Sequence, residues 1–190
     1  MLSGKGYKVF NVSGGIKAWN AKKAVGPQDL GLHMFTGREE PLEIVRIACS
    51  LEQGLSEFYT TLEKEAKEQK VKELFARLAK IEIMHQRALH DAHNQISTEQ
   101  ISWEAFQDQV ETTALEGGMS SQEYLDLFSP DLDSETEVVS LAMSIEAQAL
   151  DLYQRLLMKT DNPESKKIIG QIADEEKAHI ASLGKLMDSL

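Results

Sequence analysis

The sequence contains one pattern of acidic, tyrosine and histidine residues twice, 94 positions apart. In each copy a glutamate is followed seven positions later by a tyrosine and 30 positions later by a Glu-x-x-His motif. The first copy consists of Glu52, Tyr59, Glu82 and His85, and the second consists of Glu146, Tyr153, Glu176 and His179. Because residues three positions apart share one face of a helix, a Glu-x-x-His motif can direct both side chains at one metal ion. The pattern therefore predicts a metal site built by two copies of one helical unit.

Apolar residues around both copies recur every three or four positions, which is the spacing of a helix with one buried face. This spacing predicts four long helices whose candidate metal ligands face inward. We expect the first helix to begin at a capping box formed by Thr36–Glu39, and the turn into the second helix to fall at 66–69. A second capping box at Ser134–Glu137 opens the third helix, and the pair Asn162–Pro163 opens the fourth.

The connection between the second and third helices is long and covers residues 95–133. We expect it to hold one or two short helices, at 102–113 and 120–127, which a pair of glycines separates. Two helical hairpins joined by a long crossover are the topology of ferritin-like bundles. The sequence therefore predicts an all-α, ferritin-like four-helix bundle over residues 36–190.

Residues 1–35 differ in character from the rest of the chain. Tyr7–Val12 alternates as a strand does, and a Gly-Gly turn leads to a short helix that carries Trp19. The stretch GYKVFNVSGGIKAWNAKKAVGP resembles the C-terminal end of a rhodanese domain. Because the catalytic cysteine loop of that family has no counterpart here, the resemblance implies a remnant without sulfur-transfer activity. We expect a short β/α appendage and linker before the bundle.

Charge and cysteine content exclude several classes of function. The formal net charge is -11, whereas nucleic-acid phosphates require a basic surface. The only cysteine is Cys49, so neither an intrachain disulfide nor a cysteine-ligated metal centre can form, and we expect this thiol to act as a small buried apolar group. No apolar run approaches the roughly 20 residues that a membrane helix requires. We expect a soluble, cytoplasmic protein.

The chemistry of the repeated residues favours a pair of metal ions. Burying one unpaired carboxylate costs several kcal/mol, so four of them facing one core require cations. Two divalent ions balance four glutamates, and oxygen-rich coordination with one imidazole per ion suits iron or manganese, with zinc as an alternative. In this scheme Glu82 and Glu176 bridge the ions, whereas Glu52 and Glu146 each bind one of them. An isolated Glu-x-x-His is usually a chance feature of a solvated helix, but the matching offset of the two copies favours a site.

The remaining tyrosines and histidines allow more than one interpretation. Tyr59 and Tyr153 lie two turns from the first glutamate of their copies, so each can hydrogen-bond to a metal ligand or serve as an ordinary core aromatic. His33, His90 and His93 lack a carboxylate at helical spacing. We expect these three histidines at the surface.

The duplicated Glu-x6-Tyr and Glu-x-x-His pattern resembles that of the rubrerythrin group of ferritin-like proteins. The resemblance covers residues 36–190 and implies a non-haem di-iron protein that reacts with hydrogen peroxide or dioxygen while its irons cycle between ferrous and ferric. Carried over by position, the implied iron ligands are Glu52, Glu82, His85, Glu146, Glu176 and His179. Rubrerythrins have a further glutamate one turn beyond the third-helix ligand, and this position is Ala149 here. They also have a rubredoxin-like module with four cysteines, which this chain lacks.

These features lead to one preferred function and two alternatives. The preferred function is a di-iron peroxidase or oxidase that receives electrons from a separate protein such as a rubredoxin, with Tyr59 or Tyr153 as a proton source. Alternatively, the same site stores or buffers metal without turnover, or it only stabilises a helical module that partners a sulfur-transfer domain. We expect a homodimer, and the long crossover would permit helix exchange between its subunits.

Overall fold

The computed structural model describes residues 24–26, 29–111 and 114–190, and the strand and short helix predicted within residues 1–23 lie outside this part. The described residues form helices and no strands. The α-helices are α1 (Pro41–Glu65), α2 (Gln69–Ile96), α3 (Trp103–Gln107), α4 (Ser121–Phe128), α5 (Glu135–Lys159) and α6 (Pro163–Ser189). Two 3-10 helices, at Leu32–Met34 and Glu116–Gly118, complete the set.

The beginnings of three of the four long helices agree with the sequence-based predictions. The turn between α1 and α2 falls at residues 66–68, inside the predicted interval. Ser134 caps α5, because its hydroxyl accepts a hydrogen bond from the amide of Glu137. The side chain of Asn162 accepts hydrogen bonds from two amides of the first turn of α6. Local capping chemistry therefore sets these boundaries.

The predicted start of α1 at Thr36–Glu39 is wrong. The N-cap is Glu40, whose amide donates to Glu43 at 2.9 Å in a reciprocal capping box. A proline restricts the preceding residue to extended conformations, and Glu40 has φ -72° and ψ 156°, so the helix cannot begin before Pro41. Thr36 and Glu39 form a separate turn, in which the Thr36 hydroxyl donates to Glu39 at 2.7 Å.

The four long helices form two hairpins that enclose a core of two hydrophobic clusters. α1 packs along α2 and α5 packs along α6, and further contacts join α1 to α6 and α2 to α5. The 3-10 helix Glu116–Gly118 contacts both α1 and α5. The all-helical architecture and the long crossover confirm the predicted ferritin-like bundle. None of the helices in the described part is long and apolar enough to cross a membrane.

The crossover is less helical and more closely packed than the sequence indicates. α3 is shorter than the predicted helix at 102–113, whereas α4 matches its predicted range to within one residue. The glycine pair does not simply separate two helices, because Gly117 and Gly118 lie within a 3-10 turn and have φ of 76° and 85°. A Cβ on Gly117 would overlap Gln148 of α5. The crossover therefore packs so closely against the bundle that these positions leave no room for a side chain.

The described residues before the bundle also pack against α5. The amide of Val25 donates to the side chain of Gln148 at 2.6 Å, and Gln148 donates back to the Val25 carbonyl at 2.7 Å. The guanidinium of Arg155 donates to the carbonyl of Leu30 at 2.9 Å. Phe35 is buried in the same core cluster as residues of α5 and α6.

Two single-residue predictions have opposite outcomes. Cys49 is buried as expected, and burial raises the pKa of its thiol to about 12. The expected surface position of His93 is wrong, since only 3% of this residue is exposed. His93 packs on Phe106 of α3, with 5.1 Å between the ring centroids. The short helix of the crossover, which the periodicity of α2 does not reveal, covers this histidine.

Candidate metal centre

The first copy of the repeated pattern brings three potential ligands together between α1 and α2. Glu52 of α1 is 4% exposed and Glu82 of α2 is 2% exposed. His85 Nδ1 lies 2.8 Å from Glu82 Oε2 and 3.5 Å from Glu52 Oε2. The i, i+3 spacing within α2 places Glu82 and His85 on one face, as the sequence predicts.

The second copy forms a matching group between α5 and α6. Glu146 of α5 and Glu176 of α6 are 3% and 1% exposed. His179 Nδ1 lies 3.2 Å from Glu146 Oε2 and 3.4 Å from Glu176 Oε2. In each group, one potential ligand atom per residue lies within 4.8 Å of the others, which suits a single metal ion.

The two groups meet through their histidines. The rings of His85 and His179 stack with a centroid distance of 3.8 Å and an interplanar angle of 6°. Because the Nδ1 atom of each ring faces carboxylates, both rings present the same nitrogen to the interior of the site. The six residues of the repeat therefore lie together inside the bundle as two adjacent half-sites.

The structure adds a seventh residue that the repeat does not contain. Glu116, in the crossover, is 1% exposed and shares a third group with Glu52 and Glu176, again within 4.8 Å. It therefore touches both half-sites. The resemblance to rubrerythrins points only to position 149 for a further carboxylate, and this residue is Ala149. The one sequence signal for Glu116 is an acidic residue beside a glycine pair in a long connection, which by itself is weak.

The electrostatics of the site show how unfavourable this concentration of carboxylates is. Burial, followed by the charges of Glu116 and Glu82, raises the pKa of Glu52 well above its ordinary value. Burial and the charges of Glu116 and Glu146 do the same to the pKa of Glu176. Within the part of the chain that the structure describes, four carboxylate oxygens are buried without a hydrogen-bond donor: Glu52 Oε2, Glu176 Oε2 and both oxygens of Glu116. Buried polar groups are normally paired, so these atoms are suited to bind a cation.

The histidines compensate only part of this charge. Burial alone would raise the pKa of Glu146, but hydrogen bonds with His179 and Glu176 lower it overall. Burial lowers the pKa of His85, yet the hydrogen bond and the charge of Glu82 raise it overall. The donor set, five carboxylates and two imidazoles, fits iron or manganese in size, charge and chemistry.

Tyr59 and Tyr153 are completely enclosed, and neither hydroxyl has a hydrogen-bond partner among the described residues. The predicted hydrogen bonds to metal ligands are therefore not formed in this structure. Burial, followed by the charges of Glu82 and Glu146, raises the pKa of Tyr59, and burial with the charges of Glu116 and Glu176 raises that of Tyr153. Both hydroxyls therefore stay protonated, and the negative charges of the site's glutamates contribute to this.

A small cavity connects the site with the surface between α2 and α6. It has a volume of about 210 Å³ and is lined by Glu82, His85, Glu146 and His179, together with residues such as Arg77 and Ser182. Three larger surface hollows, of about 490 to 570 Å³, contain none of the six residues of the repeat. A water molecule occupies about 30 Å³ and pockets for drug-sized ligands occupy about 300 to 1,000 Å³, so the cavity has room for a small molecule and is below the drug-sized range.

Comparison with known proteins agrees with the fold and the geometry of the site. A family model described as a ferritin-like domain matches residues 40–189, which include the four long helices and the carboxylates. The comparisons with curated proteins and with solved structures found no match. The match covers most of the chain and begins within one residue of the first helix. This chain therefore belongs to the ferritin-like domain family.

Proposed function

We propose that the protein is a non-haem di-iron oxidoreductase of the rubrerythrin type, which reacts with hydrogen peroxide or dioxygen. The observation that carries this proposal is the pair of buried half-sites, each with two glutamates and one histidine, joined by the stacked rings of His85 and His179. Iron held here would supply Lewis acidity and exchangeable electrons. A helix bundle with this set of donors in its core is the usual scaffold of di-iron carboxylate proteins.

The cavity between α2 and α6 supports a small oxidant as the substrate. It reaches His85 and His179 directly, while Leu183 and Leu186 contribute an apolar lining. An apolar lining limits entry of water and strengthens the electrostatic interactions inside the site. Its volume is ample for peroxide or dioxygen and is below that of pockets for drug-sized ligands.

The chain also offers a nearby source of protons for reduction of an oxidant. The hydroxyls of Tyr59 and Tyr153 are buried, protonated and without a partner in the described structure. Proton donation by a positioned hydroxyl requires that it come within about 3 Å of the oxygen that it protonates. In the proposal these tyrosines supply that proton, and the six ligands only hold and orient the metal ions.

Electrons come from a separate protein in this proposal. The sequence has a single cysteine, Cys49, which is buried with a raised pKa and belongs to the apolar core. A rubredoxin-like centre needs four cysteine ligands. The same observation supports the second candidate function, a protein that stores or buffers metal without rapid turnover.

The deciding experiment is a peroxide titration of the protein loaded anaerobically with Fe²⁺, followed by absorbance. The redox proposal predicts rapid oxidation by about one equivalent of peroxide per iron pair, since reduction of peroxide to water takes two electrons and each ferrous ion provides one. Slow oxidation with intact metal binding would favour storage instead.

Matched variants link the reaction to the site. Glu176→Gln removes a buried carboxylate of the second half-site, whereas Glu175→Gln changes the neighbouring exposed residue on the same helix. We expect Glu176→Gln to lose iron and the rapid oxidation, and Glu175→Gln to behave as the wild type. Equal behaviour of the two variants would contradict the proposal.

A further inference from the structure

The crossover delivers a carboxylate to the centre of the site from outside the four long helices. Glu116 is the first residue of the 3-10 helix Glu116–Gly118, and its surroundings are the α1 carboxylate of Glu52 and the α6 carboxylate of Glu176. Both of its oxygens are buried, and neither has a hydrogen-bond donor among the described residues. A buried carboxylate whose close neighbours are two further carboxylates has a side chain that is suited to bind a cation.

The backbone around Glu116 is held in a way that fixes the direction of its side chain. Leu115 accepts a hydrogen bond from the amide of Gly118 and donates one to the carbonyl of Met119, both at 2.9 Å. The buried hydroxyl of Tyr124 donates to the carbonyl of Glu116 at 2.5 Å. These bonds close the turn against α4, so the carboxylate of Glu116 points away from it into the bundle.

Glu116 approaches the site from a different direction than the substrate cavity. The 3-10 helix contacts α1 and α5, whereas the cavity opens between α2 and α6 and is lined by the two histidines. A ligand from the crossover therefore leaves the cavity side of the metal ions free.

The charge balance gives this fifth carboxylate a specific consequence. Two divalent ions neutralise four glutamates, so a fifth leaves one negative charge that favours ions of higher total charge. Repulsion among the same five carboxylates destabilises the protein when no metal is bound. Glu116 should thus oppose folding of the metal-free protein and favour binding of metal.

We propose that Glu116 is a seventh metal ligand, supplied by the crossover, which binds between Glu52 and Glu176. This inference rests on the proposed function only in requiring that the repeat holds a metal pair. It assigns to the crossover a direct part in metal binding in addition to its role as a connection.

The test compares Glu116→Gln with Glu111→Gln, an exposed glutamate in the same crossover. Affinity for Fe²⁺ is measured anaerobically by competition with a chromophoric chelator, and thermal unfolding is measured on the metal-free proteins. Loss of a hydrogen-bond partner of a ligand already weakens metal binding about 10- to 100-fold, so Glu116→Gln, which removes a ligand, should weaken it by at least as much. The melting temperature of the metal-free variant should rise, because a buried carboxyl group, which is costly to keep ionised, is replaced by a neutral amide. Glu111→Gln should change neither quantity.

A third variant separates coordination from charge. Glu116→Asp retains the carboxylate but is one methylene shorter, so it should weaken metal binding without stabilising the metal-free protein. Wild-type Fe²⁺ affinity in both Glu116 variants would overturn this inference while leaving the proposed function intact. A wild-type protein that binds no Fe²⁺ would overturn both, and one that binds Fe²⁺ but does not react with peroxide would overturn only the proposed function.

Discussion

Substitution of Gly117 by alanine is the sharpest structural test of the way in which the crossover is attached. Gly117 has φ of 76°, in the left-handed region that side chains rarely adopt. An added Cβ would overlap Gln148 of α5 and lie 2.5 Å from the hydroxyl of Tyr124. Because Tyr124 donates a hydrogen bond to the carbonyl of Glu116, the substitution would disturb the turn that positions this carboxylate.

The expected magnitude follows from two separate costs. Left-handed backbone costs a residue with a Cβ about 1–2 kcal/mol. Inserting an extra carbon into a packed interior costs about 1–3 kcal/mol. Gly117→Ala should therefore lower the free energy of unfolding by about 2–5 kcal/mol, and the variant should also bind Fe²⁺ more weakly because Glu116 is displaced.

The assay is urea unfolding of the metal-free protein, with Gly170→Ala as the matched control. Gly170 lies within α6, and a Cβ built there meets no other atom within 4 Å. Alanine in a helix is more stable than glycine by about 0.5–1 kcal/mol, so the same chemical change should have the opposite sign at this position. With a urea dependence of about 2 kcal/mol per molar, Gly117→Ala should lower the midpoint by about 1–2.5 M.

A Gly117→Ala variant as stable as the wild type would refute the reasoning, because it would show that the crossover tolerates a side chain at its closest contact with α5. The control excludes a general effect of the glycine-to-alanine change. If Gly170→Ala were destabilising by a similar amount, the loss in Gly117→Ala could not be attributed to the crossover.

Two further predictions concern other buried polar groups. The hydroxyl of Ser165 donates to the buried carbonyl of Glu39 at 2.6 Å, so Ser165→Ala should cost about 1–3 kcal/mol in urea unfolding; an unchanged midpoint would contradict this. Burial raises the pKa values of Glu52, Glu116 and Glu176 above their ordinary 4.5, so the folded metal-free protein binds more protons than the unfolded chain. The stability of the metal-free protein should therefore fall as the pH rises from about 5 to 8, which urea midpoints at the two pH values test. The affinity for Fe²⁺ should rise over the same range because metal binding displaces protons, and chelator competition at the two pH values tests this.

The sequence predicts those parts of the structure that depend on local chemistry and on helical phase. Ser134 and Asn162 cap their helices through hydrogen bonds to amides a few residues away, so no tertiary information is needed. The inward direction of Glu82 and His85 follows from their spacing along one helix. The start of α1 could also have been predicted from the sequence, because Pro41 disfavours a helical conformation of Glu40.

The position of Glu116 depends on contacts that are distant in sequence and have no period. Its direction results from the turn at Gly117, from the hydrogen bond of Tyr124 and from the fit of this turn against α5. The burial of His93 has the same kind of cause, because Phe106 of the crossover covers it. Helical periodicity predicts which residues of a helix face the core. It cannot predict that a residue on another face is buried by a long connection that packs over it.

The most direct test of the central hypothesis is metal content, measured by elemental analysis after anaerobic loading with Fe²⁺ and removal of unbound metal. The duplicated half-sites predict about two iron ions per chain. The double variant Glu82→Gln and Glu176→Gln, which removes one carboxylate from each half-site, should retain little or none. A wild-type protein that retains no iron, or a double variant that retains as much as the wild type, would contradict the assignment of these residues as a metal centre.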